Sequence, residues 1–173
     1  MVLKSQPEEG STFSLLIPQQ RAVFSAPAGP SDDPLLLTNE FASLYPMSIL
    51  AVDDNDLNLR LVVAMLERLG FKPLTAKDGL EAVEIYQDSL PECILMDIQM
   101  PLMNGIDATE KIREIEKAST LPPSYISALT ANTVPDDQAR FIEAGMNFVL
   151  NKPAKIQQIA DVLLAAYRMH ARA

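Results

Sequence analysis

Five polar residues far apart in the chain, Asp53, Asp54, Asp97, Thr130 and Lys152, each stand at the end of a short apolar run. The acidic pair follows Ile49-Leu50-Ala51-Val52, and Asp97 follows Cys93-Ile94-Leu95-Met96. Thr130 follows Tyr125 to Leu129, and Lys152 follows the stretch from Asn147 to Asn151. Strands of one parallel sheet would gather these side chains at its carboxyl edge, where open α/β sheets bind their ligands. Three carboxylates brought together repel one another, which raises their pKa values and costs stability unless a cation intervenes. A hard divalent ion removes that cost, and Mg²⁺ suits a site of few carboxylates that keeps several waters. Lys152 adds a fixed positive charge and Thr130 a hydroxyl. The set suits an incoming phosphoryl group, whose transfer needs positioning and charge neutralisation more than covalent machinery. Neither a P-loop glycine pattern nor a dinucleotide fingerprint is present, so ATP is not expected as a direct substrate.

Each residue also has a plainer reading. Asp53-Asp54 or Asp97 could simply cap the helix that follows. Thr130 could be an ordinary strand-end residue, and Lys152, before Pro153, a solvated turn residue. The order of the whole set favours the site: acidic pair, acid, threonine, lysine, each after its own strand.

The elements that must position these residues follow from the patterning. The run Cys93 to Met96 has no polar alternation, which suits a parallel strand covered on both faces. The first helix is expected from about Asp56 to Leu69, with Asn55 or Asp56 as N-cap. Leu59, Val62, Leu66 and Leu69 form its inward stripe, and Gly70 ends it. The second strand is expected over Phe71 to Ala76. Asp78-Gly79 then opens a second helix with Ala82, Val83 and Tyr86 inward. Pro101 and Asn104-Gly105 break the chain before a third helix, Ile106 to Lys117. The fourth helix is expected over Asp136 to Ala144, the fifth strand over Asn147 to Leu150, and the fifth helix over Lys155 to Met169. Five β–α units with short connections predict an α/β fold, a doubly wound five-stranded parallel sheet with right-handed crossovers.

Composition narrows the function classes. A formal net charge of -9 argues against an electrostatic nucleic-acid binder. With Cys93 as the one cysteine, no intrachain disulfide forms, and its place in a buried strand makes it a core residue. The lone histidine, His170, is a solvated side chain near the chain end and cannot build a multi-histidine metal site. No apolar run is long enough to span a membrane and no signal-peptide pattern is present, so the chain reads as soluble and intracellular. Six of the thirteen prolines precede Ser48, which marks a different kind of segment there. Residues 19–47 read as a flexible linker, although Leu35-Leu36-Leu37 and Phe41 to Tyr45 are apolar enough to dock. Gly10 to Pro18 reads as a short strand.

The ordered set Val52-Asp53-Asp54-Asn55, Met96-Asp97-Ile98-Gln99-Met100-Pro101, Leu129-Thr130-Ala131 and Asn151-Lys152-Pro153 resembles the receiver domain of response regulators. The resemblance covers essentially all of Ser48 to Arg168, and gives a receiver domain over 48–173. It implies the flavodoxin/CheY-like (βα)5 fold with strand order 2-1-3-4-5. It implies that Asp97 accepts a phosphoryl group from a phosphohistidine on a histidine kinase domain or a histidine-phosphotransfer protein. By the same resemblance, Asp53, Asp54, Asp97 and the backbone carbonyl of Gln99 hold Mg²⁺. Thr130 bonds a phosphoryl oxygen, Lys152 pairs with its charge, Gln99 and Asn132 flank the site, and the Lys152-Pro153 bond is cis. Such a domain catalyses only its own phosphorylation and dephosphorylation, contacting neither nucleic acid nor membrane.

Asn58, Met100-Pro101 and Gly145-Met146-Asn147 are more similar to receivers attached to hybrid kinases than to free-standing ones. Gly10-Ser11-Thr12-Phe13 resembles the closing strand of the ATP-binding domain of sensor histidine kinases, so residues 1–18 read as its remnant. The expected parent is a hybrid sensor histidine kinase, with a membrane anchor, if any, lying elsewhere. No DNA-binding output domain is expected after the fifth helix. Receivers commonly carry an aromatic switch residue where this chain has Val149. Phe148, its neighbour, points to the opposite face and does not replace that ring. Two other readings remain: a metal-dependent phosphatase using Asp54-Asn55-Asp56, and a docking module without chemistry.

Overall fold

Backbone segments with apolar side chains on both faces have nowhere to go but the middle of a sheet, and three segments here qualify. In the computed structural model, which describes residues 2–6, 10–14, 38–119, 122–131 and 135–171, these are the fully buried strands β3 (Ile49–Val52), β5 (Cys93–Asp97) and β6 (Tyr125–Thr130). The edge strands β4 (Leu74–Ala76) and β7 (Phe148–Asn151) are partly exposed. All are parallel in the order β4-β3-β5-β6-β7, the 2-1-3-4-5 arrangement expected of the doubly wound fold.

Alternation along the strands splits the core into two layers. Ile49, Ala51, Cys93, Leu95 and Leu129 pack beneath α2 (Asp56–Arg68) and α6 (Ile156–His170). Leu50, Val52, Ile94, Met96, Ile126 and Ala128 face α3 (Gly79–Ser89), α4 (Gly105–Ala118) and α5 (Pro135–Glu143). The stripe Leu59, Val62 and Leu66 is buried as its spacing predicts. Phe148 packs with the first layer and Val149 with the second, so the two do point to opposite faces. Among the described residues no helix is long and apolar enough to cross a membrane.

One buried acid steadies the strand that carries Lys152. Glu116 of α4 accepts from the Ser124 N–H at 2.7 Å and from the Tyr86 hydroxyl at 3.3 Å, and pairs with Arg113. Arg113 in turn donates to the Gly145 carbonyl and to Asn147 Oδ1, which also accepts from the Ile126 N–H. The turn into β7 is thereby tied to both α4 and β6. Satisfying every partner is what makes a buried carboxylate tolerable.

Two expectations need correcting. The second strand is shorter than Phe71 to Ala76, because Pro73 has no N–H to pair and Phe71 turns into the core. Residues 38–47 also belong to the packed body, so this part of the chain is not linker. Helix α1 (Phe41–Leu44) docks on the sheet's first layer, with Phe41 1% exposed. Its ring meets Phe71 edge-on with centroids 6.0 Å apart, and Tyr45 meets Tyr167 at 5.2 Å. The Ala42 N–H donates to the Leu69 carbonyl at 3.0 Å. Gly70, at φ +90, leaves room for this strap: a Cβ there would lie 2.3 Å from the Asn39 carbonyl oxygen. Farther upstream, the expected strand is found as β2 (Gly10–Ser14), antiparallel to an unforeseen β1 (Val2–Gln6). Residues 15–18, Leu35-Leu36-Leu37 and Asn132 lie outside the described residues. We expect Phe41→Ala to cost about 3 kcal/mol in urea unfolding, the cost of emptying a buried aromatic site; an unchanged midpoint would show that α1 is ornamental.

Candidate functional site

Strand register assembles the site. Val52 pairs with Met96, Asp97 with Leu129 and Thr130 with Asn151, so the ends of β3, β5, β6 and β7 lie side by side. Asp53 follows β3 at 1% exposure, Asp97 ends β5 at 5%, and Thr130 ends β6 at 5%. Lys152, just past β7, sends Nζ between the two buried acids, 2.7 Å from Asp53 Oδ2 and 2.7 Å from Asp97 Oδ1. Its own N–H donates to the Thr130 carbonyl at 2.8 Å, and its bond to Pro153 is cis, as expected. Asp54 is exposed beside them. One oxygen from each of Asp53, Asp54 and Asp97 lies within 4.8 Å of the others. This hard-oxygen donor set, open to water on the Asp54 side, fits a divalent cation such as Mg²⁺.

The capping explanations fail on geometry. Helix α2 is capped by Asn55, whose Oδ1 accepts from the N–H groups of Leu57 at 2.9 Å and Asn58 at 3.3 Å. Helix α4 is capped by Asn104, which accepts from Ile106 and Asp107. The acids are therefore free of capping duty. Gly105 lets α4 start directly against the end of β5: a Cβ there would lie 2.0 Å from the Asp97 carbonyl oxygen. Only glycine permits so close a backbone approach. Gln99 donates its N–H to Asp97 Oδ1 at 3.4 Å. Asp56, the last acid of Asp54-Asn55-Asp56, is exposed and paired with Lys77 at 2.8 Å, which removes it from the cluster.

Reasoning from sequence overlooked one contact. Asn58 Nδ2 donates to Asp53 Oδ1 at 3.3 Å, alongside the Asn55 N–H at 2.9 Å. The available signal was position: Asn58 sits in the first turn of the helix that directly follows the acidic pair. Of the residues assigned elsewhere, Cys93 is in the core as expected, whereas His170 is half-buried and not solvated. Cys93 is wholly buried with its thiol pushed up to about 12 by burial, and His170 Nε2 lies 3.0 Å from the Glu92 carbonyl.

Charge at the site is poised rather than neutralised. Burial holds the Asp97 carboxyl above the ordinary 3.8, and the nearby Asp53 charge pushes the same way. The hydrogen bond and charge of Lys152, together with the Gln99 N–H, oppose this without overcoming it. The ammonium brings the two acids together, yet Asp97 still pays for leaving water.

The response regulator receiver domain family matches residues 49–164. The "Hybrid signal transduction histidine kinase K" of Dictyostelium discoideum is 32% identical over 164 residues, 90% of this chain. The chain spans 13% of that kinase's length. Among solved structures, the co-crystal of the Saccharomyces cerevisiae phosphotransfer protein Ypd1 with the receiver domain of Ssk1 aligns with TM-score 0.68 and 30% identity, covering 72% of this chain and 91% of that one. The receiver domain of the sensor histidine kinase PA1611 from Pseudomonas aeruginosa PAO1, with magnesium coordinated in its active site cleft, aligns with TM-score 0.63 and 35% identity. That alignment covers 70% of this chain and 98% of the other.

A carboxyl whose folded pKa exceeds its unfolded one has a charged form that the fold disfavours. Ionised Asp97 therefore costs stability above its folded pKa, and the cost fades as pH falls toward 3.8. In the metal-free protein, the Asp97 carboxyl carbon shift should titrate with a midpoint above 3.8. Lys152→Ala should raise that midpoint further, since it removes the opposing charge; a fall would contradict the assigned balance.

Proposed function

The chain belongs to the response regulator receiver domain family, and we propose that its function, signal transduction by phosphorelay, runs through Asp97 as phosphoryl acceptor. The observation that carries this reading is the bridge of Lys152 Nζ to Asp53 and Asp97, at 2.7 Å each, within the carboxylate cluster. An Asp97 oxygen attacks the phosphorus of a phosphohistidine. The O–P bond forms as the N–P bond breaks, and the imidazole leaves with the bonding pair to be protonated from solvent. Lys152 pairs with the phosphoryl charge, and the Thr130 hydroxyl bonds a phosphoryl oxygen. Bound Mg²⁺, held by Asp53, Asp54, Asp97 and the Gln99 carbonyl, supplies neutralisation of the transferring oxygens. The group later leaves to water or to a phosphotransfer partner.

The partner is a phosphohistidine-bearing domain, either that of a histidine kinase or a separate phosphotransfer protein like the one in the yeast complex. The parent protein is a hybrid sensor histidine kinase, acting in the cytoplasm through this domain. The match to kinase K supports this, because 90% of the chain is more than the body from Thr38 onward and takes in part of what precedes it. The hairpin β1–β2 agrees with residues 1–18 being the end of a kinase ATP-binding domain.

With Mg²⁺ and acetyl phosphate, the protein should acquire one acid-stable, base-labile phosphoryl group. Asp97→Asn and metal chelation should each abolish it. An adduct that survives Asp97→Asn would reject Asp97 as the acceptor.

A further inference from the structure

Asp53 is the most deeply buried member of the acidic set, and its partners are unequal. Oδ2 takes the Lys152 ammonium at 2.7 Å. Oδ1 takes the Asn55 N–H at 2.9 Å and Asn58 Nδ2 at 3.3 Å. The ammonium is shared with Asp97, where a phosphoryl group adds negative charge. A stronger anion at Asp97 draws Nζ toward itself, because charge-assisted hydrogen bonds follow the charge. Oδ2 of Asp53 then loses its lysine at the step when it must face the cation. Only the two Oδ1 donors stay in place.

Those two donors do different work. A single donor leaves a carboxylate able to turn about its Cβ–Cγ bond, whereas a second from another direction fixes its plane. The Asn55 N–H is backbone, held by the cap at the start of α2. Asn58 supplies the other from a side chain. At that third helical position a side chain commonly reaches back to the cap residue's own N–H. Here it reaches Asp53 instead, five residues upstream. The helix does not depend on it, since Asn55 Oδ1 already satisfies the N–H groups of Leu57 and Asn58. Asn58 also lines the groove that holds Asp53, Lys152 and Pro153, so its amide faces the site and not the core.

We infer that Asn58 is a positioning residue for phosphoryl transfer, holding the Asp53 carboxylate in the orientation that meets the divalent cation once Lys152 turns to the phosphoryl group. The inference rests on Asp97 as acceptor. Hydrogen bonds that orient metal-binding carboxylates are commonly worth about tenfold or more in metal affinity or activity.

The test compares the full chain with Asn58→Leu, which keeps the size and removes the donor, and Asn58→Gln, which restores a donor on a longer arm. Calorimetric titration with Mg²⁺ in the presence of beryllofluoride, a phosphoryl mimic at Asp97, should show affinity about tenfold weaker in Asn58→Leu, with Asn58→Gln between it and the parent. Labelling by acetyl phosphate should slow by the same factor at low Mg²⁺ and recover at saturating Mg²⁺, while the metal-free unfolding midpoint stays put. Should Asn58→Leu fail to fold, Asn58→Ala carries the same expectations. Parental Mg²⁺ affinity in the variant, or a rate deficit that persists at saturating Mg²⁺, overturns the inference. So does a deficit seen only with a phosphohistidine protein as donor, which would make Asn58 a partner contact. If the parent itself takes no label, the acceptor reading fails; if the parent labels and Asn58→Leu matches it, only this inference does.

Discussion

Two carboxylates can be buried side by side only if a positive charge stands between them. Here that charge is the Lys152 ammonium, equidistant from Asp53 and Asp97. The rest of the architecture arranges for it to be there. Three residues that repel or attract one another come from β3, β5 and β7, and β6 lies between the last two. Their side chains meet because parallel register aligns the strand ends and because tight turns leave each strand at the same height. Arg113 and Glu116 hold the start of β7, and the Lys152 N–H bonded to the Thr130 carbonyl holds its end. A slip of one residue in β7 would send its side chains to the opposite faces of the sheet and strand both acids.

The arrangement is only partly self-satisfied. A perfectly neutralised triad would be stable and inert. Asp97 instead keeps a carboxyl that burial has made more basic than usual, next to an ammonium long enough to change partners. Asp53 holds two N–H donors on one oxygen and the shared Lys152 ammonium on the other, and Asp54 stays in water. Rigid, adjustable and solvated carboxylates thus stand side by side, a division of labour set by their depth.

Much of this was legible from residue order. The strand ends could be found because β3 and β5 are apolar up to their terminal acid, and β6 is broken only by Ser127 before its terminal hydroxyl, a pattern that suits a strand covered on both faces. Helices α2, α4 and α6 were legible from apolar spacing and Asn55 from cap chemistry, whereas Asn104, expected only to break the chain, proves to be the cap of α4. What escaped depends on long-range packing. Helix α1 has four residues, too few for any period, and its hold comes from a socket formed by Leu69, Gly70 and Phe71. Phe71 looked like strand because its neighbours are apolar, yet the edge position and Pro73 gave it no ladder to join. Asn58 could be seen as a polar residue early in a helix, but its direction toward Asp53 is a matter of rotamer, which spacing does not encode.

The docking of α1 has a mechanical corollary. Its anchor, Leu69 and Gly70, lies at the carboxyl end of α2, a 13-residue helix whose other end touches the carboxylates, so the two poles are roughly 20 Å apart. The strap therefore grips the base of the domain, and a change that loosens it acts a full helix length away from the carboxylate rim.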